Sequence, residues 1–318
     1  AMLRKNLRHL TSWRYLVTLA LSDTALLWIG IFFEWLKFID DIHAASWSHV
    51  GCKLWIFSVH FLRQFSAWII VLMTFERLLV VTYPYRSKIW LTQLRVTLAI
   101  VTLSLAITAI NVHFFHIFSL VKGYRILKSG KAKLTYTCSV KPFYRNFYFK
   151  IWPWMDLVFQ SFLPSLILII CNMIILIKVT KSRKKVRPDH ITINNSMAII
   201  LFLVSFTFII TTCPLNIFLG IEQFWIFKNM NVNTRSYVEL WKVILLNLAY
   251  TNNSCNFFLY CLSGSCFRNE LKRMMNVLKL HLRVAPLINT SGSNDNGRMT
   301  TGQPVHDSNK TTQRTTHC

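Results

Sequence analysis

The stretch from Cys52 to Pro84 constrains the fold more than any other part of the chain, because it is long and mostly apolar. It is predicted to form one helix that carries four polar side chains within the apolar sequence: His60, Arg63, Gln64 and Ser66. Such a helix is typical of a membrane span whose polar groups face a bundle or a cavity, because these groups are costly in lipid. The neighbouring apolar stretches are therefore predicted to be further spans.

Composition favours the same class of protein. The mean hydropathy is +0.39 and 53% of the residues are hydrophobic, which is too apolar for an ordinary soluble chain. The formal net charge of +24 could suggest a nucleic-acid partner, but the basic residues form short clusters between apolar stretches. Those stretches have roughly the 20 residues that a bilayer requires. We therefore predict a membrane protein that does not bind nucleic acid.

Six spans are predicted, at about residues 15–38, 52–84, 93–118, 151–180, 193–227 and 237–262. The basic segments 4–14 and 178–188 predict the cytoplasmic side, and six crossings return the C-terminal tail to that side. The loop 122–150 is also strongly basic, although this count places it outside. Because the first span begins so early and no signal peptide precedes it, an earlier span is expected to be missing from this sequence.

The segments between and after the spans have their own signatures. Alternating residues in 134–140 predict a β-hairpin, and Pro164 and Pro214 are expected to kink their helices. The segment that begins near Phe267 is amphipathic and predicts a helix on the membrane surface. We expect a membrane domain over 1–284 and a disordered cytoplasmic tail over 285–318.

Polar residues inside the spans divide into two layers. The inner layer consists of Asp23, Ser66, Asn252 and Asn256. The outer layer consists of Glu34, His60, Arg63, Gln64, Asp156, Gln160 and Asn216, with Glu222, Gln223 and Lys242 near its rim. An unpaired guanidinium would be costly within the bundle, so Arg63 needs a partner, for which Glu34 is the first candidate. Two interpretations remain open, a contact with a charged ligand and an internal salt bridge.

Several motifs in order resemble the rhodopsin-like family of G-protein-coupled receptors, over about residues 5–280. They are Cys52 with Glu76-Arg77-Leu78 ending its helix, Pro84, Asp23 in LALSD, Pro164, Pro214, and Asn256-Phe257-Phe258-Leu259-Tyr260 followed by Phe267. The resemblance implies an all-α membrane protein with a seven-transmembrane helix bundle. Six of its spans would be present here, together with an amphipathic eighth helix on the membrane surface.

The resemblance also implies roles for individual residues. Cys52 and Cys138 would form a disulfide, and Asp23, Ser66, Asn252 and Asn256 would hold an allosteric Na⁺, for which a water-filled polar network is the alternative. Coupling to a heterotrimeric G protein would involve Glu76, Arg77, Pro214, Asn256 and Tyr260. Further implied partners are membrane lipids and arrestin, the expected location is the plasma membrane, and no other cofactor is expected.

The expected ligand is an extracellular peptide, because charges of both signs and abundant aromatic residues surround the outer layer. The pocket candidates are Glu34, Val59, His60, Arg63, Gln64, Asp156, Gln160, Asn216, Glu222, Lys242 and Tyr250. Val59 stands where amine receptors carry an aspartate, which argues against a biogenic amine. The hairpin-like outer loop and the end of the last span resemble divergent invertebrate peptide receptors, including flatworm orphan groups.

Departures from the family pattern leave alternatives open. Phe257 replaces the proline of the last motif, Thr212 stands in place of a tryptophan, and Asn172 replaces a tyrosine. A decoy receptor that does not signal is one alternative, and a transporter with Asp23, Arg63 and Asp156 along its substrate path is another. Internal repeats, which many transporters have, are not evident. No catalytic constellation is recognisable, so we predict that the chain is not an enzyme.

Overall fold

The computed structural model describes residues 12–33, 35, 48–126, 132–183, 191–226 and 232–263. Glu34, the predicted surface helix near Phe267 and the tail 285–318 lie outside the described residues. The side chains of Gln223, Phe257 and Tyr260 are likewise outside the description, although their backbones are helical.

Helices make up most of the described chain. In order, they are α1 (Ser12–Leu26), continued by a π-helical segment (Leu27–Phe32), α2 (His49–Thr82), α3 (Pro84–Trp90), α4 (Gln93–Asn111) and α5 (Phe114–Ile117). After the hairpin come α6 (Trp152–Asp156), α7 (Leu163–Arg183), α8 (Ile191–Ile226) and α9 (Val232–Ser263). Short 3-10 and π-helical segments (Pro142–Tyr144, Phe147–Ile151 and Leu157–Phe162) flank α6.

The central helix α2 has well-defined ends. The Ser48 hydroxyl caps its first turn by accepting from the Gly51 N–H at 2.8 Å, which satisfies one of the unpaired donors of a helix start. Pro84 then opens α3, where its missing N–H costs nothing. Between these ends, α2 packs against α1, α4, α7 and α8. It therefore forms the centre of the bundle, as its sequence predicted.

The core of the bundle is apolar. It consists of buried residues from α1, α2, α4, α7 and α8: Tyr15, Leu19, Phe65, Ala67, Ile69, Ile70, Val71, Met73, Val96, Ile107, Leu168, Val204 and Phe208. Large apolar side chains also cover the outer helix faces, including Leu94 and Leu105 of α4, which are 69% and 65% exposed. Long helices that are apolar both inside and outside are expected for a bundle surrounded by lipid rather than by water.

Five of the predicted spans contain stretches that are long and apolar enough to cross a membrane, among the residues that the structure describes: Arg14–Phe32, His49–Thr82, Gln93–Ile117, Pro142–Lys181 and Phe202–Glu222. The sixth predicted span is continuously helical as α9, but its charged and amide side chains make it more polar. It packs along α8 and also contacts α1. The prediction of an all-α membrane bundle is confirmed.

The predicted hairpin is also confirmed. Strand β1 (Phe118–Ile126) pairs antiparallel with β2 (Ala132–Val140), in a register that places Lys122 opposite Tyr136 and Leu120 opposite Cys138. The Cys52–Cys138 disulfide joins β2 to the first turn of α2. The inner end of the hairpin is buried against this helix, with Phe118 and Val140 in a second apolar cluster beside Cys52.

The helix around Pro164 shows how one residue shapes its surroundings. Proline has no N–H to donate to the preceding turn, and the π-helical segment Leu157–Phe162 ends just before it. The carbonyl of Phe159 accepts instead from the Trp68 indole N–H of α2 at 2.9 Å. This exchange ties the π-helical segment to the central helix. Pro214 lies inside the continuous helix α8, and the kink predicted there stays a prediction.

Candidate functional site

A buried polar cluster joins α2, α4 and α6 in the outer half of the bundle. The Gln64 Nε2 donates to Asp156 Oδ1 at 2.9 Å, and the Gln64 Oε1 accepts from Asn111 Nδ2 at 2.7 Å. All three side chains are at most 5% exposed. His60, one turn before Gln64, has its Nδ1 3.9 Å from Asp156 Oδ2 and stacks on Phe114. The Gln64 amide therefore forms hydrogen bonds with both the Asp156 carboxylate of α6 and the Asn111 amide of α4.

Gln160 connects this carboxylate to Arg63. In the amide orientation that satisfies both neighbours, its oxygen accepts from Arg63 Nη2 and Nε at 2.8 and 2.9 Å. Its nitrogen then donates to the two oxygens of Asp156 at 3.3 and 3.2 Å. Gln160 is only 3% exposed and belongs to the π-helical segment before Pro164. A neutral amide thus bridges the cation and the carboxylate.

Asn216 brings α8 into the same cluster. Its Oδ1 accepts from Arg63 Nη2 at 3.4 Å, and its Nδ2 donates to the Ser161 hydroxyl of the π-helical segment and to the Thr212 carbonyl. Asn216 is 1% exposed and lies two residues after Pro214. Arg63 therefore connects α2 to α8 through Asn216, by a bond that is longer than its bonds to Gln160.

A second polar cluster surrounds Asp23 deeper in the bundle. The Asp23 carboxylate accepts from the Ser66 hydroxyl at 2.6 Å, from Asn253 Nδ2 at 2.7 Å and from Asn256 Nδ2 at 3.0 Å. Asp23 is 4% exposed. The cluster therefore connects α1, α2 and α9 around one buried acid.

A small cavity lies between the two clusters. Its walls carry polar groups from both clusters as well as apolar side chains: Leu26, Arg63, Ser66, Ala67, Gln160, Phe208, Thr212, Leu246, Ala249, Tyr250, Asn252 and Asn253. Seven of these twelve residues carry polar side chains, so the cavity suits a water molecule or a small polar group. Arg63, Gln160 and Tyr250 are the predicted pocket residues that border it.

The remaining pocket candidates lie elsewhere in the outer half. Four of them belong to the outer cluster but do not line the cavity: His60, Gln64, Asp156 and Asn216. Val59 does not line the cavity either. At the rim, Lys242 of α9 donates to Glu222 of α8 at 2.9 Å. This pair joins the outer ends of two helices. The ligand roles of all these residues stay predictions.

The residues predicted to couple to a partner lie toward the other end of α2. Glu76 is 3% exposed, whereas the neighbouring Arg77 is partly exposed. Asn256 of α9 donates to Asp23. Pro214 lies inside α8, where it removes one backbone N–H donor. The role of Arg77 in coupling to a G protein stays a prediction.

Sequence reasoning missed three residues of these clusters. Asn253 contacts Asp23, whereas the predicted Asn252 lines the cavity, because adjacent helix positions point about 100° apart. Asn111 and Ser161 were the other two. The available signal for Asn111 was its place inside an otherwise apolar span, where a polar side chain needs a partner.

This bundle, with its outer disulfide and its two buried polar clusters, has the organisation of a membrane receptor. The chain matches the family of seven-transmembrane receptors of the rhodopsin type over residues 1–260, and it belongs to this family. Members of the family are receptors, which confirms the prediction that the chain is not an enzyme. It also confirms the resemblance that the motifs of α2 and α9 indicated.

A curated relative gives a finer comparison. The chain is 33% identical over 97 residues to a protein named neuromedin U receptor homolog nmur-2 of Caenorhabditis elegans. The aligned segment covers 30% of this chain and 24% of the relative. The chain therefore aligns with about a quarter of the length of this relative. The flatworm-like subgroup indicated by the outer loop stays a prediction.

Proposed function

We propose that this chain is a plasma-membrane receptor that binds an extracellular peptide and activates a heterotrimeric G protein. Membership of the rhodopsin-type family supports a receptor, and the name of the relative in Caenorhabditis elegans supports a peptide ligand. The observation that carries the proposal is that Gln160 joins Arg63 and Asp156 in the outer half of the bundle, since a ligand that reached these residues would compete for hydrogen bonds between helices.

The binding step would exchange internal hydrogen bonds for bonds to the ligand. Gln160 can present its oxygen or its nitrogen to the cavity, and the Arg63 guanidinium has donors beyond those that Gln160 and Asn216 accept. A peptide supplies both carbonyl and amide groups, so it can replace either bond. Tyr250 would complete the wall with an aromatic face and a hydroxyl, which suits a side chain with both apolar and polar parts.

Signal transfer would run through α8. Asn216 holds α8 to Arg63 and to Ser161, and Pro214 lies two residues away, where the helix lacks one backbone hydrogen bond. A ligand that draws Arg63 away from Asn216 would favour a state in which α8 pivots near Pro214. Movement of its inner half away from α2 would expose Arg77 to the G protein. The ligand then acts by shifting the population of two bundle states.

Coupling through Arg77 is tested without any ligand. The acid that often restrains the inactive state in this family is replaced by Asn194, so we expect measurable basal G-protein activation in cells that express the receptor. Arg77→Ala should abolish this activity at equal surface expression. Arg95→Ala is the matched control, because Arg95 is an exposed arginine at the N-terminal end of α4 whose Nη1 donates to the Ile89 carbonyl. Basal activity that survives Arg77→Ala would contradict the proposal.

The Asp23 cluster is proposed to hold a sodium ion. Its groups fit a hard cation, because Asn252 Oδ1 and Asn256 Oδ1 are buried without a hydrogen-bond partner among the described residues. Together with the Asp23 carboxylate and the Ser66 hydroxyl, they form a set of oxygen ligands. A bound cation would neutralise the carboxylate and favour the packing of α1, α2 and α9 seen here.

Ion binding is tested by thermal unfolding of the purified receptor in NaCl or KCl at equal ionic strength. Sodium should raise the unfolding midpoint, since a ligand at ten times its Kd stabilises the folded state by about 1.4 kcal/mol. Asp23→Asn should lose this response. Asp156→Asn makes the same chemical change in the outer cluster and should keep it. Equal responses to the two salts would contradict a sodium site and leave the water-filled network as the alternative.

A further inference from the structure

The outer hairpin segment, residues 118–150, has a charge that membrane topology does not explain. It carries eight basic residues: Lys122, Arg125, Lys128, Lys131, Lys133, Lys141, Arg145 and Lys150. No acidic residue occurs anywhere between Glu76 and Asp156. Basic loops ordinarily stay on the cytoplasmic side, so this segment runs against the usual distribution.

The disulfide assigns this segment to the outer side. Cys138 of β2 is joined to Cys52, and disulfides persist in oxidising surroundings such as the cell exterior. The cytoplasmic ends of α2 and α4 are then at Thr82 and Gln93, at the opposite end of the bundle from Cys52. A positive surface at the ligand side of a receptor points to a partner with negative charge.

The described side chains show that this charge is accessible. Lys122 and Arg145 are exposed, and Lys141 is partly exposed. Two aromatic side chains lie among them, with Phe143 86% exposed and Tyr136 47% exposed. In the hairpin register Tyr136 is directly opposite Lys122, so an aromatic ring and an ammonium group share one face. The acidic side chain nearest in sequence, Asp156, is buried and held by Gln64.

The backbone offers a second means of recognition. The sheet within the described residues has only β1 and β2, so each strand keeps one edge without a strand partner. The N–H and C=O groups on such an edge can pair with an added extended chain. A peptide can use this edge, whereas a sulfated glycan has no matching backbone. Charge and strand edge together favour an acidic, extended peptide.

We infer that the outer hairpin segment binds an acidic, extended part of the peptide ligand, with Lys122 and Arg145 supplying opposite charge and a strand edge supplying backbone hydrogen bonds. This inference rests on the proposed function, because it specifies the chemistry of the same ligand. The charges should act chiefly on the rate of association. Complementary charge at the rim of a site accelerates encounter, and the effect weakens as salt is added.

The test measures binding of fluorescent probes to intact cells that express the full chain. The probes are short capped peptides in which threonine alternates with glutamate, glutamine or lysine. Alternation with threonine favours the extended form, and only the charge differs among them. We expect the glutamate probe to bind at least about tenfold more tightly than the glutamine probe, with an affinity that falls as salt rises. The lysine probe should not bind.

Two charge-reversed receptors identify the surface. Lys122→Glu with Arg145→Glu should slow association of the glutamate probe about tenfold at equal surface staining. Arg86→Glu with Lys88→Glu makes the same change in α3, at the other end of the bundle, and should leave binding unchanged. Equal binding of the three probes, or unchanged binding after the outer reversal, would overturn the inference. So would binding of heparin without binding of the glutamate probe, which would indicate a glycan surface.

Failure of this inference is distinguishable from failure of the proposed function. Basal G-protein activation and its loss in Arg77→Ala do not depend on the acidity of any ligand. A receptor that couples through Arg77 but binds the three probes equally would keep the proposed function and lose the acidic-peptide inference.

Discussion

A neutral amide stands between the two opposite charges in the outer half of the bundle. Gln160 accepts from Arg63 and donates to Asp156, which spreads the pair over more hydrogen bonds than a direct contact would allow. Burying a charge is tolerable only when its hydrogen bonds are satisfied, and here amides from two elements do this for Asp156. The Gln160 amide can also reverse its orientation without any change in charge.

Replacing this amide by an apolar side chain of similar size should separate its two roles. Gln160→Leu removes one of the two acceptors of Arg63 and a donor to Asp156, so we expect the free energy of unfolding to fall by about 2–4 kcal/mol. Peptide-stimulated signalling should fall further than surface expression. Both are measured on the full chain, by thermal unfolding and by G-protein activation.

Asn247→Leu is the matched control for this change. Asn247 is an exposed amide of α9 that donates only to the Val243 carbonyl of its own helix, and its replacement should change stability by less than about 0.5 kcal/mol. If Gln160→Leu were as well tolerated as Asn247→Leu, the bridge between Arg63 and Asp156 would have no energetic importance.

At the scale of helices, the approach of α1 to α9 depends on a glycine. A Cβ atom added at Gly30 would lie 2.8 Å from the Tyr250 ring, closer than such atoms approach each other in folded proteins. Gly30 is buried in the π-helical segment after α1, and Tyr250 lines the cavity. A side chain at position 30 would therefore push a cavity wall.

Gly30→Ala should destabilise the receptor by about 1–3 kcal/mol, because an overpacked site must displace its neighbours. It should also weaken the response to peptide, since Tyr250 must move. Gly220→Ala is the control within α8: its Cβ would meet Trp154 at 3.7 Å, an ordinary contact. Alanine also favours a helix over glycine by up to about 1 kcal/mol. Equal effects of the two changes on thermal unfolding would refute this account of the α1–α9 contact.

Elements with local signals were predictable from sequence. The apolar run after Cys52 was enough to predict α2, and alternation near Thr135 was enough to predict a hairpin, because both patterns follow the period of their backbone. The π-helical segment around Gln160 was not predicted beyond a kink at Pro164. In this segment the Trp68 indole of α2 donates to the Phe159 carbonyl and so replaces the N–H that Pro164 lacks. No local sequence pattern encodes a contact with another helix.

The two polar clusters were predicted as layers but not as sets of bonds. Polar residues inside apolar spans identify the layers, because lipid excludes them. Which amide reaches Asp23 depends on the rotation of α9, and this favours Asn253 and Asn256 over Asn252. Arg63 was expected to need a partner, and the structure provides Gln160 and Asn216. The first candidate, Glu34, lies outside the described residues.

At the scale of the molecule, the outer and inner polar clusters border the same cavity. Arg63 contacts Asn216 near Pro214, the cavity extends from Arg63 to Asn253, and Asn253 and Asn256 bind Asp23. Two clusters placed in this way can be coupled only if both favour one of two bundle states. The proposed pivot of α8 supplies the second state.

The most direct test of the central claim is guanine-nucleotide exchange by purified G protein, with the full-length receptor in lipid nanodiscs and a synthetic peptide library. The account predicts that some peptides accelerate exchange by the wild-type receptor and that Arg77→Ala abolishes the acceleration. Arg95→Ala should preserve it. A library that binds the receptor but accelerates exchange no more than it does in receptor-free nanodiscs would contradict the claim that this chain signals through a G protein.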